Sequence, residues 1–97
     1  MTDLNVTDAG PRFEAHEGDQ LVGWVEFERT GDLVVITHTE VPVEHEGKGV
    51  GSALARGILD DTRERGLRAL ITCPFVLSWI GRHPEYADLQ FNAPRRG

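Results

Sequence analysis

Between residues 46 and 54 the apolar pattern of this chain changes its period, and the change passes through Glu46-Gly47-Lys48-Gly49-Val50-Gly51-Ser52-Ala53-Leu54. Upstream, Leu21, Gly23, Val25 and Phe27 alternate with Val22, Trp24, Glu26 and Glu28, the repeat of a strand. Downstream, Val50, Ala53, Leu54, Ile58 and Leu59 fall along one face of a helix, while Arg56, Asp60, Asp61, Arg63 and Glu64 fall mostly elsewhere. A strand is therefore handed to a helix N-terminus through glycines. Gly47, Gly49 and Gly51 carry no Cβ to crowd a ligand, and the helix aims unpaired N–H groups and its positive dipole end at them. An anion such as a diphosphate fits there without a basic side chain.

The turn signals Asp8-Ala9-Gly10-Pro11, Glu17-Gly18-Asp19 and Thr30-Gly31-Asp32 divide the first 43 residues into short runs rich in Val, Phe, Trp and Thr, predicting an antiparallel meander. The run from Leu33 to Val41 begins more uniformly apolar, as expected of a central strand covered on both faces. Pro42 lacks an N–H and interrupts the ladder. The helix from Val50 ends at Gly66, Leu67 to Thr72 reads as a short buried strand, and Pro74 starts a second helix. In that helix Val76, Leu77 and Ile80 are expected to face inward before Gly81 and Pro84 break it, and everything after Leu89 reads as frayed. The result is an α+β fold with one β-loop-α-β unit, a single domain over residues 1–97 with a core at about 4–90 and a tail at 91–97. Ninety-seven residues support one core and not two.

Composition narrows the function classes. The single cysteine, Cys73, has no intrachain disulfide partner, and no apolar run is long enough for a membrane span or a signal sequence, so a reducing, cytoplasmic setting is expected. Residues 1–46 hold eleven acidic residues and two arginines, and residues 47–97 hold eight basic and five acidic ones. A net charge of −6 makes a poor general nucleic-acid binder. An anionic cofactor on the more basic half, which carries the glycine loop, and a cationic acceptor near the acidic half suit this asymmetry.

Several motifs fail on spacing. In a phosphate-binding Walker loop the lysine follows the last glycine, whereas Lys48 precedes Gly49 and Gly51. The dinucleotide fingerprint meets Ser52 at its third glycine position. His38-x-Glu40 matches the first half of a zinc-deaminase signature, but only Cys73-Pro74 stands where a second half needs two cysteines, and no metal site is expected. Trp24, Phe27, Phe75 and Trp79 read as core and pocket lining.

What fits is the acyl-coenzyme A loop of the GNAT N-acetyltransferases, Q/R-x-x-G-x-G/A at a helix start, here Glu46-Gly47-Lys48-Gly49-Val50-Gly51. Val41-Pro42, the loop through Leu54, Cys73 and His83-Pro84-Glu85-Tyr86 follow in order, and over roughly residues 20 to 90 the chain resembles the small stand-alone acetyltransferase-like group of that superfamily. The resemblance implies a minimal GNAT fold, with an antiparallel or mixed sheet, that binds acetyl-coenzyme A and transfers its acetyl group to a primary amine of a protein or small molecule. Glu46 departs from the pattern, standing where larger members carry Gln or Arg; Lys48 is positioned to offset it.

The resemblance also implies a site. Val41 and Val43 flank the thioester where the strand splays at Pro42, and Gly47, Lys48, Gly49, Val50, Gly51, Ser52 and Ala53 hold the diphosphate, with Trp79 and Cys73 alongside the cofactor. Cys73 is open to two readings: a small buried hydrophobe, or a thiol near the acyl sulfur that takes the acetyl group or protonates the departing thiolate. Trp79 aligns with the tyrosine acid of larger members and cannot supply a proton, which brings Tyr86 into consideration with Cys73. Glu40, Glu44, His38 and His83 are the available bases, and Glu40 completes the catalytic set of Cys73, Glu40 and Tyr86. The competing class is a non-catalytic coenzyme A-binding or protein-interaction module, since no helical pattern precedes residue 49 to build an acceptor site. A monomer or a homodimer is equally consistent.

Overall fold

The computed structural model describes residues 4–93. Its five strands lie in one sheet in chain order: β1 (Leu4–Asp8), β2 (Arg12–Glu17), β3 (Gln20–Thr30), β4 (Leu33–Glu40) and β5 (Arg68–Ile71). Tight turns make the first four antiparallel neighbours. β5 runs parallel to β4, which requires a crossover, and α1 (Val50–Glu64) supplies it. After β5 come α2 (Pro74–Arg82) and a 3-10 turn at Pro84–Leu89. The mixed sheet with flanking helices is the α+β arrangement expected from the sequence.

One core lies between the sheet and α1. Val22, Val25, Val34 and Ile36 meet Val50, Leu54, Ile58 and Leu59, all essentially without solvent exposure. Burying each side chain of this kind stabilises the fold by about 1.5–3 kcal/mol. Gly23 of β3 sets how closely the helix approaches: a Cβ there would stand 2.8 Å from Val50 Cγ1 and 3.0 Å from the Glu40 carbonyl oxygen. The absent side chain thus seats the first turn of α1 beside the end of β4.

Four expectations need correction. β4 is covered well on one face only, because Leu33 and Val35 remain half-buried while Val34 and Ile36 are sealed. In α2 it is Trp79, with Val76 and Ile80, that turns inward, and Leu77 is 43% exposed. Residues 94–97 of the expected tail lie outside the described residues, but Gln90 to Ala93 are not frayed. The Phe91 N–H donates to the Ala69 carbonyl at 2.8 Å, and the Arg68 guanidinium donates to the carbonyls of Gln90 and Ala93, so this segment satisfies backbone groups at the outer edge of β5.

The fourth correction concerns where the sheet opens. Pairing of β4 with β5 stops at Ile36–Ile71, several residues before Pro42. Opposite β3, Phe27 faces Ile36 and Glu26 faces His38, so Thr37 is the extra residue of a bulge. Beyond it the N–H groups of Thr72 and Cys73 both turn to the Ile36 carbonyl, at 3.0 and 3.3 Å, and β5 leaves for α2. Pro42 only ends the strand. Alternate backbone groups of β4 past Ile36, pointing away from β3, therefore have no strand partner.

Candidate functional site

The N-terminus of α1 is bare. Gly49 is its N-cap at φ +79°, a left-handed conformation that favours glycine, and no side chain caps the helix or places an acid in the first turn. The first backbone bond runs from the Ala53 N–H to the Gly49 carbonyl at 3.0 Å. The amides of Val50, Gly51 and Ser52 consequently have no helical partner. A Cβ at Gly47 or Gly49 would meet nothing within 4 Å, so the space over the loop is open.

This loop faces a cleft of about 620 Å³. One wall is the end of β4, with Thr39, Glu40 and Val41; the other is a stripe of α2, with Phe75, Trp79, Arg82 and, just past the helix, His83. The spacing of the stripe is that of one helical face. Trp79 ties the stripe to the loop, because its Nε1–H donates to Ser52 Oγ at 2.8 Å. Its ring also stacks on His83, with centroids 3.8 Å apart and planes inclined by 12°. His83 Nδ1 lies 2.8 Å from the Trp79 carbonyl oxygen. A carbonyl only accepts, so Nδ1 carries a proton and Nε2 of the neutral ring is an acceptor.

The cleft brings together Glu40, Val41, Gly47, Gly49, Val50, Gly51, Ser52 and Trp79 from the expected site. Five other expected residues lie elsewhere. Val43 sits in a 3-10 turn at Val43–His45 and is 78% exposed. Lys48 reaches toward β2, with Nζ 4.0 Å from Glu17 Oε1. Ala53 is half-buried behind the first turn. Cys73 is buried just behind the opening of the sheet, where its Sγ shares a hydrogen bond with Thr39 Oγ1 at 3.3 Å. Tyr86 packs away from the cleft: its hydroxyl donates to Asp60 at 2.7 Å and accepts from Arg56 at 3.3 Å. That bond to Asp60, then burial, raises the Tyr86 phenol above its ordinary pKa.

Glu40 lies on the rim, where its Oε1 accepts from His38 Nε2 at 2.9 Å. Sequence reasoning missed Thr39, His45 and Arg82. The Thr39–Cys73 contact joins the end of β4 to the N-cap of α2 after a crossover and leaves no local signal. His45 is buried with its Nδ1 unpartnered among the described residues, an outcome of the 3-10 turn. Arg82 was within reach, since Phe75, Trp79 and Arg82 share one helical face.

Residues 12–89 match the family described as GCN5-related N-acetyl-transferase. The chain is 36% identical over 59 residues to Protein NATD1 of Bos taurus and 34% identical over 59 residues to Protein NATD1 of Homo sapiens, covering 60% of this chain and 52% of each relative. It thus spans about half the length of these curated relatives. The solution structure of a GCN5-like protein from Staphylococcus aureus superposes with a TM-score of 0.72 at 20% identity, covering 99% of this chain and 96% of that one. A ribosomal-protein-alanine N-acetyltransferase from Brucella melitensis superposes with a TM-score of 0.60 at 22% identity, covering 89% of this chain and 64% of that one. At such identities the likeness is one of fold.

Proposed function

As a member of the GCN5-related N-acetyltransferase family, the chain carries, we propose, an acetyl-coenzyme A-dependent activity that acetylates a primary amine. The observation behind this reading is the run of unpartnered amides at Val50, Gly51 and Ser52, opening into a cleft that continues to the unpaired edge of β4. Those amides suit the cofactor's diphosphate, and its pantetheine arm suits the gap beyond Ile36. The bound cofactor would supply an activated acetyl group.

The chain's own groups have separable tasks. Backbone N–H groups on the open edge of β4 would donate to an acyl oxygen as it gains charge. Glu40, on the cleft rim, would take a proton from an incoming ammonium, and the acidic half of the chain favours such a cation. Cys73, sharing a proton with Thr39 behind the opening, would supply one to a departing thiolate. Tyr86, its hydroxyl engaged by Asp60 and Arg56 of α1, serves as a clamp between α1 and the turn at Pro84–Leu89.

Calorimetric titration with acetyl-coenzyme A should show one site. Thiol release with a panel of amines should then be amine-dependent and fall in Glu40→Gln and Cys73→Ala. Tight binding without amine-dependent release would favour a binding module, and no binding at millimolar ligand would remove both readings.

A further inference from the structure

The cleft contains one fixed positive charge that the protein itself leaves uncompensated. Outside the cleft Arg56 donates to the Tyr86 hydroxyl and Arg68 to the carbonyls of Gln90 and Ala93, and Arg12, Arg29, Arg63 and Arg65 each hold a carboxylate. Arg82 does not: among the described residues its guanidinium donates only to Ser78 Oγ, at 2.9 Å. It lines the α2 wall of the cleft, opposite the end of β4, on the same stripe as Phe75 and Trp79. In a chain of net charge −6, an arginine without an acid, lining the same cleft as bare helix amides, is suited to an anion.

Lys48, the sequence-derived counter-charge for this cleft, is turned to Glu17 outside it, and the carboxylates of Glu40 and Glu46 line it. The helix end contributes only about half a unit of positive charge. Coenzyme A carries a diphosphate and a 3′-phosphomonoester, more negative charge than the amides alone offset. We propose that Arg82 is the phosphate anchor of the cofactor site, binding a phosphate oxyanion of coenzyme A from α2 while the loop binds from α1. Trp79 holds the two elements in register through Ser52, and His83, stacked on Trp79 and bonded to its carbonyl, fixes the helix end that carries the guanidinium. The inference rests on the proposed cofactor and adds to it a side chain that decides affinity.

Calorimetry of the full chain with coenzyme A and with dephospho-coenzyme A tests it in wild type, Arg82→Gln and Arg82→Lys. Arg82 is exposed, so all three should melt together. Loss of a charge-assisted bond to phosphate should weaken coenzyme A about tenfold in Arg82→Gln, and Arg82→Lys should stay within about threefold of wild type. If Arg82→Gln weakens only coenzyme A, the 3′-phosphate is the partner; if it weakens both ligands alike, the diphosphate is. Wild-type affinity in Arg82→Gln, or equal loss in the lysine variant, overturns the proposal while leaving the cofactor reading intact. Absence of coenzyme A binding to the wild type overturns that reading itself.

Discussion

The two ends of α1 are built in opposite ways. At its C-terminus the chain closes through Gly66 at φ +69°, and the Leu67 N–H reaches back to the Thr62 carbonyl at 3.0 Å. Asp61 there accepts from Arg65 at 2.7 Å and Arg29 at 3.2 Å, and Arg29 also holds Asp8 of β1 at 2.9 Å. At its N-terminus no side chain caps the helix, although such a cap is worth about 0.5–2 kcal/mol. Stability resides in the buried middle and the sealed end. The donors at the other end have no helical partner, and that difference marks the proposed site more sharply than the glycine count does.

The largest effect should come from filling the open end. Gly49→Val forces a β-branched residue into a left-handed conformation, at a cost of about 2 kcal/mol of stability, and lays a side chain over the amides. Acetyl-coenzyme A affinity should fall about 100-fold, roughly 2.7 kcal/mol. Urea denaturation and calorimetry measure the two effects separately. Affinity near wild type in a folded Gly49→Val protein would break the contrast between the ends.

Alanine at the two left-handed glycines sharpens it. Gly66→Ala and Gly49→Ala should each lose about 1 kcal/mol of stability, since both backbones carry the same strain. Only Gly49→Ala should also weaken the cofactor. Equal loss of affinity in Gly66→Ala would mean that the whole helix, not its open end, governs binding.

The Tyr86 hydroxyl is engaged by Asp60 and Arg56 on α1, and the clamp proposed for it can be tested. Tyr86→Phe should cost about 1 kcal/mol and leave acetyl transfer unchanged. Its raised folded pKa means that the neutral phenol is favoured in the native state. That contribution is present below the ordinary tyrosine value of 10.0 and is lost as pH rises through the folded value. The phenylalanine variant should lack this alkaline limb in a series of denaturation curves.

Where the sequence was legible, local rules governed. The period change at Val50, the stop at Gly66 and Pro74 at a helix start all lie within one element and its neighbours. The opening of the sheet was misplaced because Pro42 announces itself, whereas the bulge at Thr37 follows from the pairing of three strands. Cys73 and Thr39 meet only after the crossover, and the hydrogen bonds of the Tyr86 hydroxyl to Asp60 and Arg56 on α1 join residues 26 and 30 positions apart, which no local pattern announces. Arg82 was the avoidable omission, one helical face from Trp79.

The sealed end should yield the smallest effect, and one tuned by pH. Asp8 is held below its usual 3.8, first by the hydrogen bond from Arg29 and then by the Gly10 N–H. A carboxylate depressed in the folded state contributes stability above the unfolded value and loses it as pH falls through the folded one, so the window lies below about pH 4. The side chains of Asp8 and Arg29 retain 28% and 30% exposure, which limits the pair to at most about 1 kcal/mol. Asp8→Asn should therefore lower stability slightly at neutral pH, flatten the acid limb and leave cofactor affinity untouched. A shift in that affinity would show that charge at one end of α1 is felt at the other, and the division of labour along the helix would have to be abandoned.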